Sequence, residues 1–178
     1  IGHLLRSQHD AILSTSKSIN HDNSLLNCRI KGLSENKPDL FIIDLNLKLK
    51  KSLLLNRLLN KRKTYIITYK HNINKLKNYK KKGYKIIFIN SLNNKKDFLI
   101  LFKNFYKIGY SRILTEAGLT FINALIKHKL INDLYIFKSK NNLKEKGKNN
   151  ASIKYLKNIS FRQISINLNS DKLYKKEF

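Results

Sequence analysis

The sequence predicts one α/β domain, a mainly parallel central sheet flanked by helices on both faces, and three observations predict it. Short apolar runs of strand length alternate with segments whose apolar residues recur at helical spacing. That alternation is the pattern of a sheet covered by crossover helices, which should be right-handed. No internal repeat and no linker divides the chain, and 178 residues, 42% of them hydrophobic, suffice for one sizeable core.

Residues 1–9 read as a short helical start, with Leu4 and Leu5 inward and Arg6 free to project. Residues 10–15 (DAILST) make a compact apolar strand. The polar stretch 16–29 (SKSINHDNSLLNCR) reads as irregular, anchored only by Ile19, Leu25 and Leu26. Its place directly after a strand is one where loops carry function. Residues 31–38 read as a turn, and Pro38, the only proline, marks a boundary. Residues 39–45 (DLFIIDL) and 64–69 (TYIITY) are the second and third strands. Residues 72–82 read as a basic surface helix stopped by Gly83, and 84–90 (YKIIFIN) as the next strand. Residues 95–108 form an amphipathic helix with Phe98, Leu101, Phe102, Phe105 and Ile108 on one face and Gly109 at its end. That aromatic stripe reads as core.

Residues 112–137 (RILTEAGLTFINALIKHKLINDLYIF) form a strand, a tight turn, a helix and a buried strand. Ile113 and Leu114 are the short strand. Leu119, Ile122, Leu125, Ile126 and Leu130 give the helix one apolar face. Residues 134–137 are the second strand. Gly118 in the turn lets backbone approach a bound group, and the first N–H groups of the helix that follows suit phosphate. Glu116 stands at a strand's carboxyl end, where open α/β sheets place ligand contacts. With a single glycine the signal is weaker than a full Gly-rich fingerprint, and a plain strand–helix turn with a solvated glutamate is the alternative. Residues 139–150 read as a basic, Asn-rich loop. Residues 160–168 and 172–178 read as a closing antiparallel hairpin around Asn169, Ser170 and Asp171.

The formal net charge is +26 and the pI about 10.2, a field that draws polyanions. The lysines are spread along the chain among Asn and Ile, whereas a nucleic-acid module concentrates charge on one helix or arm and interleaves aromatics. No specific nucleic-acid partner is therefore expected. A single cysteine, Cys28, excludes an internal disulfide and a multi-cysteine metal site and reads as apolar filler. No apolar run reaches the ~18 residues of a membrane span and no signal peptide opens the sequence, so the expected location is the cytoplasm.

The run Arg6-Ser7-Gln8-His9-Asp10-Ala11-Ile12-Leu13, then Ser18, Asp22, Asn23, Leu26 and Arg29, resembles the reductase domain of the bifunctional riboflavin-biosynthesis deaminase/reductase. That domain reads LRAQxDAILxxxxTVxxDxPxLTxR, and the spacing matches without a gap. Asp39-Leu40-Phe41-Ile42-Ile43-Asp44 resembles the family's RVVLD strand. Thr115-Glu116-Ala117-Gly118 with Asn132-Asp133-Leu134 resembles its VEGG/VEAG … VDEL segment.

The resemblance implies a dihydrofolate-reductase-like fold and NADPH-dependent reduction of 5-amino-6-(5-phosphoribosylamino)uracil, whose ribosyl group becomes ribityl. It implies substrate contacts at Arg6, Leu26, Arg29 and Glu116. Cofactor contacts are implied at Ser18, Asp22, Gly118, Leu119, Thr120, Phe121, Ile122, Asn123 and Ala124. Planar, bidentate arginine donors suit a sugar phosphate better than lysine does. Glu116 is the nearest candidate for a general acid, with bound water an equal alternative. No metal site is expected. The expected partners are the phosphorylated pyrimidine ribosylamine, a second copy of the chain in a homodimer and a zinc deaminase domain fused upstream.

Some positions depart from the family. Its opening K-x-A-x-S-x-D-G strand, its S-G-x-x-W/S segment and the deaminase pattern H-x-E … P-C-x-x-C are absent from this sequence. Ser18 stands for threonine, which keeps the hydroxyl; Ser24 stands for proline, Asn27 for threonine and Leu45 for serine, the last without a polar group for the cofactor. Three hypotheses follow: an NADPH-dependent reductase, a domain of the same fold that binds nucleotide without turnover, and a basic nucleic-acid-binding protein.

Overall fold

The computed structural model describes residues 1–33, 38–141, 154–157, 159–166, 168 and 171–178. The chain divides into two units, Ile1–Gly118 and Leu119–Phe178.

The first unit runs α1 (Gly2–Ser7), β1 (Ala11–Thr15), α2 (Ser16–Asp22), β2 (Asp39–Ile43), a 3₁₀ helix (Leu54–Leu58), β3 (Thr64–Tyr69), a second 3₁₀ helix (Lys70–Lys75), α3 (Lys77–Lys81), β4 (Lys85–Ile89), α4 (Lys95–Lys107) and β5 (Ile113–Thr115). The strands form one parallel sheet in the order β4-β3-β2-β1-β5. The predicted parallel sheet is therefore present. Successive strands are laid down in one direction from β1 to β4, and β5 then returns to the other side of β1. The order reverses at the β1–β5 pair.

Alternation along the central strands supplies two buried faces, as a parallel sheet covered on both sides requires. Ile12, Leu40, Ile42 and Ile66 pack with Ile19 of α2 and with Leu49, Leu53 and Leu55. On the other face Phe41 stacks on Tyr65 and on Phe105 of α4, at centroid distances of 4.7 and 4.1 Å, with Tyr110 edge-on. Such pairs contribute roughly 0.5–1.5 kcal/mol each beyond burial. Phe98, Leu101 and Phe105 of α4 are buried, so the aromatic stripe is core. Ile108 lies beyond the helix end and is exposed.

Three local expectations are corrected. Residues 16–22 are helical: the Thr15 hydroxyl accepts the Ser18 N–H and Asn23 closes the helix in left-handed backbone. Two turns with one buried side chain, Ile19, leave no apolar period to read. The helix expected over 72–82 is split into the 3₁₀ helix Lys70–Lys75 and the single-turn α3, though Gly83 does follow with φ +98°. Leu4 faces outward.

Asp10 fastens the edge strand. Its carboxylate accepts the N–H groups of Ser111 (3.0 Å) and Arg112 (2.8 Å) and the Ser111 hydroxyl. These bonds, the Arg112 N–H first, hold the carboxyl below the ordinary aspartate range. A lowered folded value means the stabilisation is present above the unfolded pKa of about 3.9 and is lost as pH falls through the folded one. Asp10→Ala should cost ~1–2 kcal/mol near neutrality and flatten the acid limb of Tm against pH. A variant that keeps the parent's acid limb would contradict this role.

The second unit contains α5 (Leu119–Lys127), β6 (Asp133–Lys138), α6 (Lys154–Lys157), β7 (Arg162–Ile164) and β8 (Lys172–Glu177). Its sheet is antiparallel, in the order β6-β8-β7. The closing strands pair as predicted, with Arg162 opposite Lys175; the predicted turn residues Asn169 and Ser170 lie outside the described residues, as do 34–37 of the 31–38 turn and most of the 139–150 loop. The strand predicted at 134–137 forms, but it pairs antiparallel with β8 and no residue on it is fully buried. Among the described residues, no helix is long and apolar enough to cross a membrane.

Candidate active site

The reversal of strand order at β1–β5 is the place where an open α/β sheet opens a crevice at its carboxyl ends. The residues that follow these two strands meet there. Beyond β5 the Glu116 N–H donates to the Leu13 carbonyl (2.9 Å), extending the pairing by one residue. From the end of β1, the Ser18 hydroxyl accepts the N–H of Gly118 (3.0 Å) and lies 3.1 Å from the Thr15 hydroxyl. Ser18 and Gly118, 100 residues apart, are therefore in direct contact.

Glu116 is held by Arg6. The guanidinium donates from Nε to one carboxylate oxygen (2.6 Å) and from Nη2 to the other (2.7 Å), the bidentate geometry that makes such pairs strong. Arg6 Nη1 donates to the Asn27 carbonyl (3.1 Å). The side chains of Arg6 and Glu116 are only 17% and 29% exposed, and the Glu116 carboxylate raises the Arg6 pKa above its ordinary value. Arg6 is thus engaged rather than free to project.

The same carbonyl recruits a residue that sequence reading missed. His3 Nδ1 is 2.9 Å from the Asn27 oxygen, and its Nε2 is 3.3 Å from Arg29 Nη2. Arg29 can only donate, so His3 accepts with Nε2 and donates from Nδ1. His3, Arg6, Arg29 and Glu116 form one chain of contacts through Asn27. Arg29 is exposed, while Leu26 is buried, with φ +48°. Asp22 lies on the surface, with Oδ1 2.8 Å from His21 Nδ1.

A second residue missed by sequence reading is Arg62, 7% exposed. It donates to the main-chain carbonyls of Leu25 (2.7 Å), Leu26 and Pro38 (3.2 Å). Burial pushes its pKa down to about 10. Among lysines and arginines that are mostly surface residues, nothing in the sequence singled it out.

The glycine of the turn, Gly118, does not adopt a positive φ. A β-carbon built there would have one described atom within 4 Å, Ser18 Oγ at 3.6 Å. Leu119, Thr120, Phe121, Ile122, Asn123 and Ala124 open α5 in the second unit. Asp44, in the segment resembling RVVLD, is buried, and its carboxylate accepts the N–H groups of Lys48 (2.8 Å) and Leu49 (2.9 Å). Among the described residues, no group of three or more His, Cys, Asp or Glu side chains could hold a metal ion.

The profile of the RibD C-terminal domain family matches residues 1–139. No curated protein matches the chain in sequence. Among solved structures, the chain is similar to Acinetobacter baumannii RibD, with a TM-score of 0.72 and 17% identity over 97% of this chain and 48% of that one. It is similar to a diaminohydroxyphosphoribosylaminopyrimidine deaminase/5-amino-6-(5-phosphoribosylamino)uracil reductase of Thermotoga maritima (TM-score 0.69, 15% identity, 98% of this chain and 47% of that one). A pyrimidine reductase-like protein of Corynebacterium diphtheriae aligns with a TM-score of 0.73 and 15% identity over 98% of this chain and 78% of that one. At these identities the likeness is one of fold. The chain spans about half the length of the Acinetobacter and Thermotoga proteins.

Proposed function

Because the chain belongs to the RibD C-terminal domain family, we propose that it is a pyrimidine reductase of riboflavin biosynthesis. The proposed reaction is NADPH-dependent reduction of the ribosyl group of 5-amino-6-(5-phosphoribosylamino)uracil to ribityl. The observation that carries this reading is the convergence of Arg6, Arg29 and Glu116 through Asn27, with Ser18 and Gly118 in contact where the strand order reverses.

The residues present fit the two ligands. Arg29 is an exposed guanidinium whose one described partner is a neutral imidazole nitrogen, so its remaining donors suit the substrate phosphate. Glu116, oriented by Arg6, offers carboxylate oxygens to ribose hydroxyls. Leu26, whose side chain is buried in the core, keeps its proposed substrate contact from the family resemblance. For the cofactor, the Ser18 hydroxyl beside the side-chain-free Gly118 and the exposed Asp22 carboxylate suit, respectively, the phosphate and hydroxyl groups of a nicotinamide dinucleotide. Leu119 to Ala124 keep their proposed cofactor role from the family resemblance.

When bound, NADPH supplies the hydride that reduces C1′ of the ring-opened sugar imine, and a proton goes to the nitrogen. The chain's own part is to bind and orient the substrate. Arg6 fixes the Glu116 carboxylate by two bonds before substrate arrives, so little reorganisation is needed on binding. Glu116 accepts with both oxygens, which suits it to position a hydroxyl; the proton donor is then bound water or a substrate group.

Arg29→Lys tests the substrate assignment. Losing a bidentate guanidinium should raise the substrate Kd about tenfold, ~1–2 kcal/mol, and leave the NADPH Kd within about twofold. Equal losses for both ligands in separate titrations would contradict the assignment.

A further inference from the structure

We propose that Arg62 is a positioning residue for substrate recognition: it holds the loop that carries Leu26 and Arg29 in its binding shape. The inference rests on the substrate assignment above and adds a residue to it.

The loop needs an external clamp. Residues 24–29 lie between α2 and β2 outside any helix or strand, and among the described residues none of their N–H groups donates to a backbone carbonyl in a turn or loop. Leu26 adopts φ +48°, a left-handed conformation that is strained for a non-glycine residue and persists only where the surroundings impose it. Its side chain is buried while the loop returns to the surface at Arg29. What the loop offers inward is carbonyl oxygen, at Leu25 and Leu26, and carbonyls inside a protein need donors.

Arg62 supplies them. It sits between the first 3₁₀ helix and β3, with its N–H donating to Leu58 O (3.1 Å). Nη1 reaches the carbonyls of Leu26 and Pro38, and Nη2 that of Leu25. The guanidinium therefore ties two successive loop carbonyls to the residue immediately before β2. Among the described residues no carboxylate is hydrogen-bonded to Arg62, and its Nε is buried without a partner. A buried cation whose described hydrogen bonds all go to main-chain carbonyls, with the Asp39 carboxylate acting on it without a bond, is a costly arrangement, and an apolar residue would fill the same volume without that cost. What an apolar residue cannot do is fix three carbonyl directions at once with a planar fork. The carbonyl of Asn27, directly downstream of the clamped pair, accepts from Arg6 and His3, and His3 in turn contacts Arg29. A shift of the clamped pair therefore reaches the substrate residues.

The experiment uses the full-length protein with Arg62→Met and Arg62→Lys. Each is assayed for Tm, NADPH binding, substrate binding and the rate of tryptic cleavage after Arg29 relative to other sites. The expected result is a substrate Kd raised about tenfold or more in Arg62→Met, with NADPH within about twofold, and faster cleavage after Arg29. Arg62→Lys, with one donor head for three carbonyls, should fall between variant and parent. If Arg62→Met does not fold, the Arg62→Lys values decide: a selective loss of substrate affinity with faster cleavage supports the role. Parent-like cleavage after Arg29, or equal weakening of both ligands, overturns it. If the unaltered protein binds neither ligand, the functional assignment fails, and the cleavage rate still reports whether Arg62 holds the loop.

Discussion

Glu116→Gln should lower kcat/KM for the ribosylaminopyrimidine by roughly 10–100-fold, the ~1.5–3 kcal/mol carried by a hydrogen bond to a charged group. The variant keeps the shape of the side chain and removes the charge to which Arg6 Nε and Nη2 donate. One carboxylate oxygen becomes an amide nitrogen, which cannot accept, so one arm of the fork loses its partner in a site that is mostly buried. The substrate hydroxyls proposed to meet Glu116 lose a strong acceptor at the same time. The NADPH Kd should stay within about twofold, because Glu116 lies with the residues proposed to hold the substrate. Circular dichroism should remain native, with a lower Tm. Unchanged kcat/KM would remove Glu116 from the site.

Gly118→Val should raise the NADPH Kd about tenfold or more, ~1.4 kcal/mol or above, while the protein stays folded. The β-carbon itself fits: it would stand 3.6 Å from Ser18 Oγ, and the backbone is not left-handed. The effect is assigned to the two methyl groups beyond it, which occupy the space beside the Ser18 hydroxyl that the cofactor is proposed to use. Gly118→Ala is the control and should bind NADPH nearly as the parent does. Parent-like binding by Gly118→Val would move the cofactor away from this turn. A loss in Gly118→Ala equal to that in Gly118→Val would place the effect in the turn's backbone.

The parallel sheet was legible because its strands are apolar on both faces. DLFII and TYIITY lie in the middle of the sheet, between α4 on one face and α2 with the Leu49–Leu55 region on the other, and continuous apolar runs are what such strands require. The strand at 134–137 was legible as a strand, but nothing in LYIF states whether its partner runs parallel or antiparallel. Helix α2 was not legible, since its one buried side chain leaves no period. Glu116 and Gly118 stood out through the strand–turn–helix pattern; that Arg6 would grip Glu116 across 110 residues was not readable from either segment. His3 and Arg62 were missed for the same reason: their roles are contacts to backbone carbonyls, at Asn27 and at Leu25, Leu26 and Pro38. Carbonyls carry no side-chain signature, so a sequence cannot show which cation will meet them.

The proposed reduction of a phosphorylated ribosylaminopyrimidine by a nicotinamide cofactor can be followed optically. Full-length protein is mixed with NADPH and 5-amino-6-(5-phosphoribosylamino)uracil, and the near-ultraviolet absorbance of the reduced nicotinamide is followed. The expected result is a substrate-dependent loss of absorbance, equimolar with ribityl product, that is slowed by Glu116→Gln and by Arg29→Lys at subsaturating substrate. Absorbance that stays constant with both ligands demonstrably bound would contradict it, and would leave a domain that binds nucleotide without turnover.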